Sequence, residues 1–152
     1  DHRGKGATML LLGAILMTAC HLIFALVPLT PLIAYSAIIL LGISFSLVPA
    51  ALWPSVPKLI ENRLLGSAYA VIFWIQNIGL MAFPIIIGWS LNVSNPGVAE
   101  QIKEGVEGAA YNYTVPMLIF SCLGIAAFLL GLWLKAQDRS KGYGLELPNI
   151  KK

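Results

Sequence analysis

Charge is what this sequence has least of. Only 11% of its 152 residues are Asp, Glu, Lys or Arg, against about 25% in an ordinary soluble domain. No water-facing surface can be built from that stock. Cysteine is scarce too, and both copies, Cys20 and Cys122, lie within apolar runs. That argues against a disulfide framework and favours small buried apolar residues. The apolar runs hold no paired carboxylates, no His-rich metal spacing and no Ser/His/Asp set, so neither an enzyme, a metal site nor a cofactor is expected from them. The net charge of +3 gathers into no basic patch, which argues against nucleic acid. Strict apolar/polar alternation is missing, which excludes a membrane barrel. The first apolar run is too long for a signal-peptide core and lacks a small-residue cleavage site.

Apolar length is what the chain has in abundance. It is 58% hydrophobic, with a mean hydropathy of +0.80. Four runs stand out, roughly Gly6 to Val27, Leu32 to Val56, Gly66 to Leu91 and Tyr113 to Leu134, and none contains Asp, Glu, Lys or Arg. Each is long enough, at about 1.5 Å per residue, to cross a hydrocarbon core about 30 Å thick. Backbone groups find no water inside lipid, so helices are the only reasonable form for them. The fold class expected is an all-α membrane protein with four spans.

The connections order the spans. Pro28-Leu29-Thr30-Pro31 reads as a tight turn between antiparallel neighbours. Lys58 to Leu65 is a short charged loop, and Asn92 to Asn112 a longer one with a turn signal at Asn95-Pro96-Gly97. Beyond that turn, Val98, Ile102 and Val106 form one helical stripe, as in a short amphipathic helix on a membrane surface. With four spans the N-terminus, the Lys58 loop and the tail 135–152 share one side. That side carries every basic residue except Lys103, which sits beside Glu100, Glu104 and Glu107. The bias places both termini in the cytoplasm and residues 92–112 outside. The sequons at Asn92 and Asn112 fall in that outer loop. The membrane expected is a bacterial inner membrane or that of a lysosome-like organelle.

The opening Asp1-His2-Arg3-Gly4-Lys5 has the form D-x-x-G-[KR] directly before a span. Its glycine permits a tight turn and its acid suits a helix N-terminus. This resembles the end of the loop signature of the major facilitator superfamily. The resemblance implies that the chain corresponds to helices nine to twelve of a twelve-helix fold, cut from the helices one to eight that would be its partners. Asp1, Gly4 and Lys5 would then belong to a loop engaged in conformational change. A narrower likeness lies in Ala51-Leu52-Trp53-Pro54, Leu65-Gly66-Ser67-Ala68-Tyr69-Ala70 and Ile75-Gln76-Asn77-Ile78-Gly79-Leu80. This series looks like the lysosomal dipeptide transporter branch, with Ser67, Ala70 and Val48-Pro49 as local departures. It implies a secondary transporter of a small organic solute, dipeptides included, working by alternating access in the bilayer. In such a fold the second and third runs face the central cavity while the first and fourth pack outside.

Candidate solute contacts follow from residue type and depth. Gln76 and Asn77 sit in mid-span, where an amide facing lipid is costly. Two roles suit them, contact with a peptide-like solute or hydrogen bonding between helices, the latter about 0.6 kcal/mol per contact on average. Tyr69, Phe73 and Trp74 lie one to two turns before them. Trp53 offers an indole donor to the cavity, or an aromatic anchor at the interface. Pro49, Pro54 and Pro57 each remove a backbone donor, giving a bent or loosened stretch that serves either as a gate or as a static kink. His21 is the only group titrating near neutrality inside a span, and it suits a packed histidine better than a proton relay. Gly66/Ala70 and Ala127/Gly131 are small pairs that permit close helix contact. A scaffold or sensor with the same fold and no flux is the alternative function, its partner meeting residues 92–112 or the tail from Gly142.

Overall fold

The computed structural model describes residues 4–148. Asp1, and with it most of the D-x-x-G-[KR] stretch, lies outside the described residues. The order of elements is α1 (Gly6–Leu26), α2 (Pro31–Leu59), a 3₁₀ turn (Asn62–Leu64), α3 (Leu65–Ser94), α4 (Val98–Lys103) and α5 (Thr114–Lys141). Four of these helices are long and apolar enough to cross a membrane. The protein is an all-α membrane protein.

Helix ends follow local chemistry more than hydropathy. Thr30 caps α2, its hydroxyl accepting from Ile33 N at 3.4 Å, with Pro31 at the first helical position. Proline fits there because that N–H has no helical partner anyway. α2 runs beyond its apolar stretch to Leu59, and α5 runs to Lys141, where Gly142 adopts φ 67° and its N–H closes on Asp138 O at 2.8 Å. α4 covers only the first part of the Val98–Val106 stripe.

α2 continues without interruption through Pro49, Pro54 and Pro57. One reason is visible at Pro57, which leaves the carbonyl of Trp53 without its helical donor. Tyr69 of α3 supplies a replacement, its hydroxyl donating to Trp53 O at 3.3 Å.

α1 is the centre of the bundle, flanked by α2 and α5. Its seam with α2 is built from small residues at intervals of seven on both helices. Gly6, Gly13 and Cys20 of α1 oppose Ala51, Ser44 and Ala37 of α2 in antiparallel order. A Cβ on Gly13 would lie 3.0 Å from Val48 Cγ2 and 3.4 Å from Ser44 O, and Cys20 Sγ reaches Ala37 O at 3.2 Å. Between membrane helices, where lipid is as apolar as leucine, close backbone approach of this kind replaces the hydrophobic drive to pack.

The seam with α5 works similarly. A Cβ on Gly124 would overlap the Thr18 hydroxyl, and one on Gly131 would come to 2.9 Å from Leu11 Cδ2. His21 stacks on Phe120 with centroids 5.2 Å apart, and its Nδ1 lies 2.7 Å from Met17 O. It is a packed histidine, as its surroundings in sequence implied. Of the expected small pairs, Gly131 lies in this seam while Ala127 is exposed, and among the described residues nothing lies within 4 Å of the Cβ position of Gly66.

α3 stands apart. Ser90 is its only buried residue. It leans on α2 near its start and on α5 further along. At its far end Asn95 closes residues 96–111 into a loop. Its Oδ1 accepts from Asn112 N at 2.7 Å while its Nδ2 donates to Asn112 O at 3.0 Å. Gly97 turns the chain there with φ 77°.

Candidate functional site

Five residues were singled out for solute contact, and α3 carries all but Trp53. The structure divides four of them between two faces and leaves Trp74 on neither. The first face combines Trp53 of α2 with Tyr69 and Phe73 of α3. Trp53 stacks on Phe73 with centroids 5.2 Å apart and 28° between planes, and meets Tyr69 at 5.8 Å and 51°. Offset aromatic pairs of this kind contribute about 0.5–1.5 kcal/mol beyond their buried area. One turn further on, Asn77 Nδ2 donates to Phe73 O at 2.8 Å. Tyr69, Phe73 and Asn77 recur every four residues, so they share a stripe on one helix. Asn77 remains exposed on that stripe.

Gln76 points elsewhere. It lines a groove of about 480 Å³ between α3 and α5, with Leu80, Phe83, Ile87, Phe120 and Leu123. Its amide is the only side-chain hydrogen-bonding group among the residues lining that groove. Adjacent positions on a helix lie about 100° apart, which is why neighbours in sequence serve different surfaces. Trp74 is 67% exposed and belongs to neither cluster.

The gating candidates also separate. Pro49 and Pro54 are half-buried and Pro57 is exposed. Pro54 lines a smaller hollow of about 280 Å³ between α1 and α2, with Gly4, Gly6, Ser55 and Lys58. Gly4 and Lys5 both have left-handed backbones, at φ 71° and 67°. For Gly4 that conformation is free of a Cβ penalty; for Lys5 it costs roughly 1–2 kcal/mol. The strain at Lys5 is offset by two contacts with the far end of the chain, Lys5 N to Glu146 O at 3.1 Å and Gly6 N to Leu145 O at 2.9 Å.

Sequence reasoning did not find three features. The seven-residue spacing of small residues on α1 and α2 was there to be counted. Asn95 reads as a turn residue, yet its amide ties down both backbone groups of Asn112. Glu146, in a tail with no hydrophobic period, makes contacts that no local pattern announces.

No family profile matches the chain, and no solved structure does. Curated proteins do. The chain is 37% identical over 92 residues to the lysosomal dipeptide transporter MFSD1 of Bos taurus, which is 60% of this chain and 19% of that protein. Against the protein of the same name in Danio rerio the figures are 37% over 93 residues, 61% and 20%. Against that of Homo sapiens they are 36% over 92 residues, 60% and 19%. The similarity to proteins of this name therefore extends over about 60% of the chain. The aligned stretch spans about a fifth of the length of these relatives.

Proposed function

We propose that this chain forms the last four helices, nine to twelve, of a secondary transporter that moves a small organic solute across a membrane by alternating access. Similarity to proteins named lysosomal dipeptide transporters carries the reading, and dipeptides are accordingly the first solutes to try. The end of the bundle bearing both described termini faces the cytoplasm, on the distribution of Lys and Arg. α2 and α3 contribute one wall of a cavity near mid-membrane, the usual place for a solute in such proteins.

The amide of Asn77 and the ring edges of Trp53 and Tyr69 supply what a peptide needs, donor and acceptor together beside flat apolar surface. Phe73 O already holds one Asn77 proton, which fixes the amide plane. Gln76, on the other face, serves contacts toward α5.

Uptake of a labelled dipeptide into proteoliposomes tests these roles, using the protein expressed from its whole gene. Asn77→Ala is expected to lower kcat/KM by about tenfold, the loss of one hydrogen bond to a charged or polar group, and Gln76→Ala by less. Unchanged uptake in Asn77→Ala would remove that residue from the solute path.

A further inference from the structure

A helix leaves its first backbone N–H groups without partners of its own. In α1 they are taken by a segment from the other end of the chain. Thr8 N donates to Glu146 Oε1 at 2.9 Å, and the Thr8 hydroxyl lies 2.8 and 3.0 Å from the two carboxylate oxygens. Gly6 N and Lys5 N are held by the carbonyls of Leu145 and Glu146. A carboxylate here also meets the positive end of the helix dipole.

Every neighbouring element contributes. Lys135, from the last part of α5, donates to Thr8 Oγ1 at 2.6 Å and lies 3.6 Å from Glu146 Oε1. Leu145 is fully buried, and its N–H donates at 3.0 Å to Asp138 Oδ1, itself 7% exposed. Lys58, at the end of α2, donates to Leu147 O. Gly142 and Gly144, at φ 67° and 77°, turn the chain back over the bundle. Gly4 leaves room for it, since a Cβ there would come to 2.5 Å from Glu146 O and 2.6 Å from Leu147 C.

We propose that residues 142–148 are a clasp that joins the ends of α1, α2 and α5 into one block, with Glu146 as the catch and Leu145 as the plug. Release of Glu146 uncaps α1 and lets the three ends separate. This holds whether or not the protein transports anything, because it rests on contacts within the chain.

Hydrogen exchange resolved to single amides tests it on the whole-gene protein in nanodiscs. The amides of Gly6 and Thr8 would exchange freely in an uncapped helix, and the clasp makes them slow. Glu146→Ala speeds them roughly tenfold or more, while amides of residues 14–20 stay unchanged and report an intact bundle. Glu146→Gln falls between, because an amide oxygen still accepts from Thr8 N but the attraction to Lys135 is gone. Leu145→Ala increases tryptic cleavage after Lys141. Free exchange of Gly6 and Thr8 in the unaltered protein overturns the clasp, as does an unchanged rate in Glu146→Gln should the alanine variant fail to fold.

Discussion

α1 and α3 are both long apolar helices, yet they relate to the rest of the molecule in opposite ways. α1 presents glycine, alanine and cysteine to two neighbours and has its first turn capped by the tail. α3 presents large apolar and aromatic residues on nearly every side, and one buried serine. Small residues let helix backbones approach and satisfy the molecule from within; large ones leave surface for something else to meet. The residues with chemistry to offer, Gln76, Asn77 and Tyr69, belong to the one of the four long helices that its own chain covers least.

The contrast can be broken most forcefully at its glycines. Gly124→Leu drives a side chain into Thr18 across the α1–α5 seam and should cost about 3 kcal/mol of unfolding free energy. Gly66→Leu, at the start of α3 with open space around it, should change stability by less than about 0.5 kcal/mol. Equilibrium unfolding of the two variants in mixed micelles measures both. Equal losses would show that α3 is packed as closely as α1.

A smaller effect is expected at the far end of α3. Asn95→Ala leaves the backbone N–H and C=O of Asn112 without their partner, a loss of about 1–2 kcal/mol. Hydrogen exchange of Asn112 N–H would rise with it. Smallest is Tyr69→Phe, which keeps the ring against Trp53 and removes only the hydroxyl that serves Trp53 O. About 0.6 kcal/mol is expected. A much larger loss would mean that the carbonyl opened by Pro57 has no other way to be satisfied.

The four spans were legible because length and freedom from charge are properties of a window, independent of what packs where. The fate of His21 was legible for a related reason, since one histidine on an otherwise apolar helix has few options besides a neighbouring ring. How the backbone groups freed by proline are satisfied was not. Pro49, Pro54 and Pro57 predict trouble locally, but the hydroxyl that relieves one of them comes from Tyr69, across a loop. The central place of α1 was hidden as well, although Gly6, Gly13 and Cys20 mark it. Spacing of seven on one run means little until the matching Ala37, Ser44 and Ala51 are seen on the next. Glu146 was beyond reach altogether, because its partner Thr8 lies at the other end of the chain and the tail shows no period. In the candidate site, the pairing of Trp53 with Tyr69 and Phe73 came from tertiary contact, whereas the division of Gln76 from Asn77 follows from the helical repeat.

Flux is the most direct trial of the whole account. The protein expressed from its whole gene is reconstituted into liposomes, and entry of a labelled dipeptide is followed against protein-free vesicles. The account predicts saturable uptake that unlabelled dipeptide competes away. A folded, correctly inserted protein that moves no dipeptide or other small solute would contradict it, and would favour a scaffold or sensor built on the same helices.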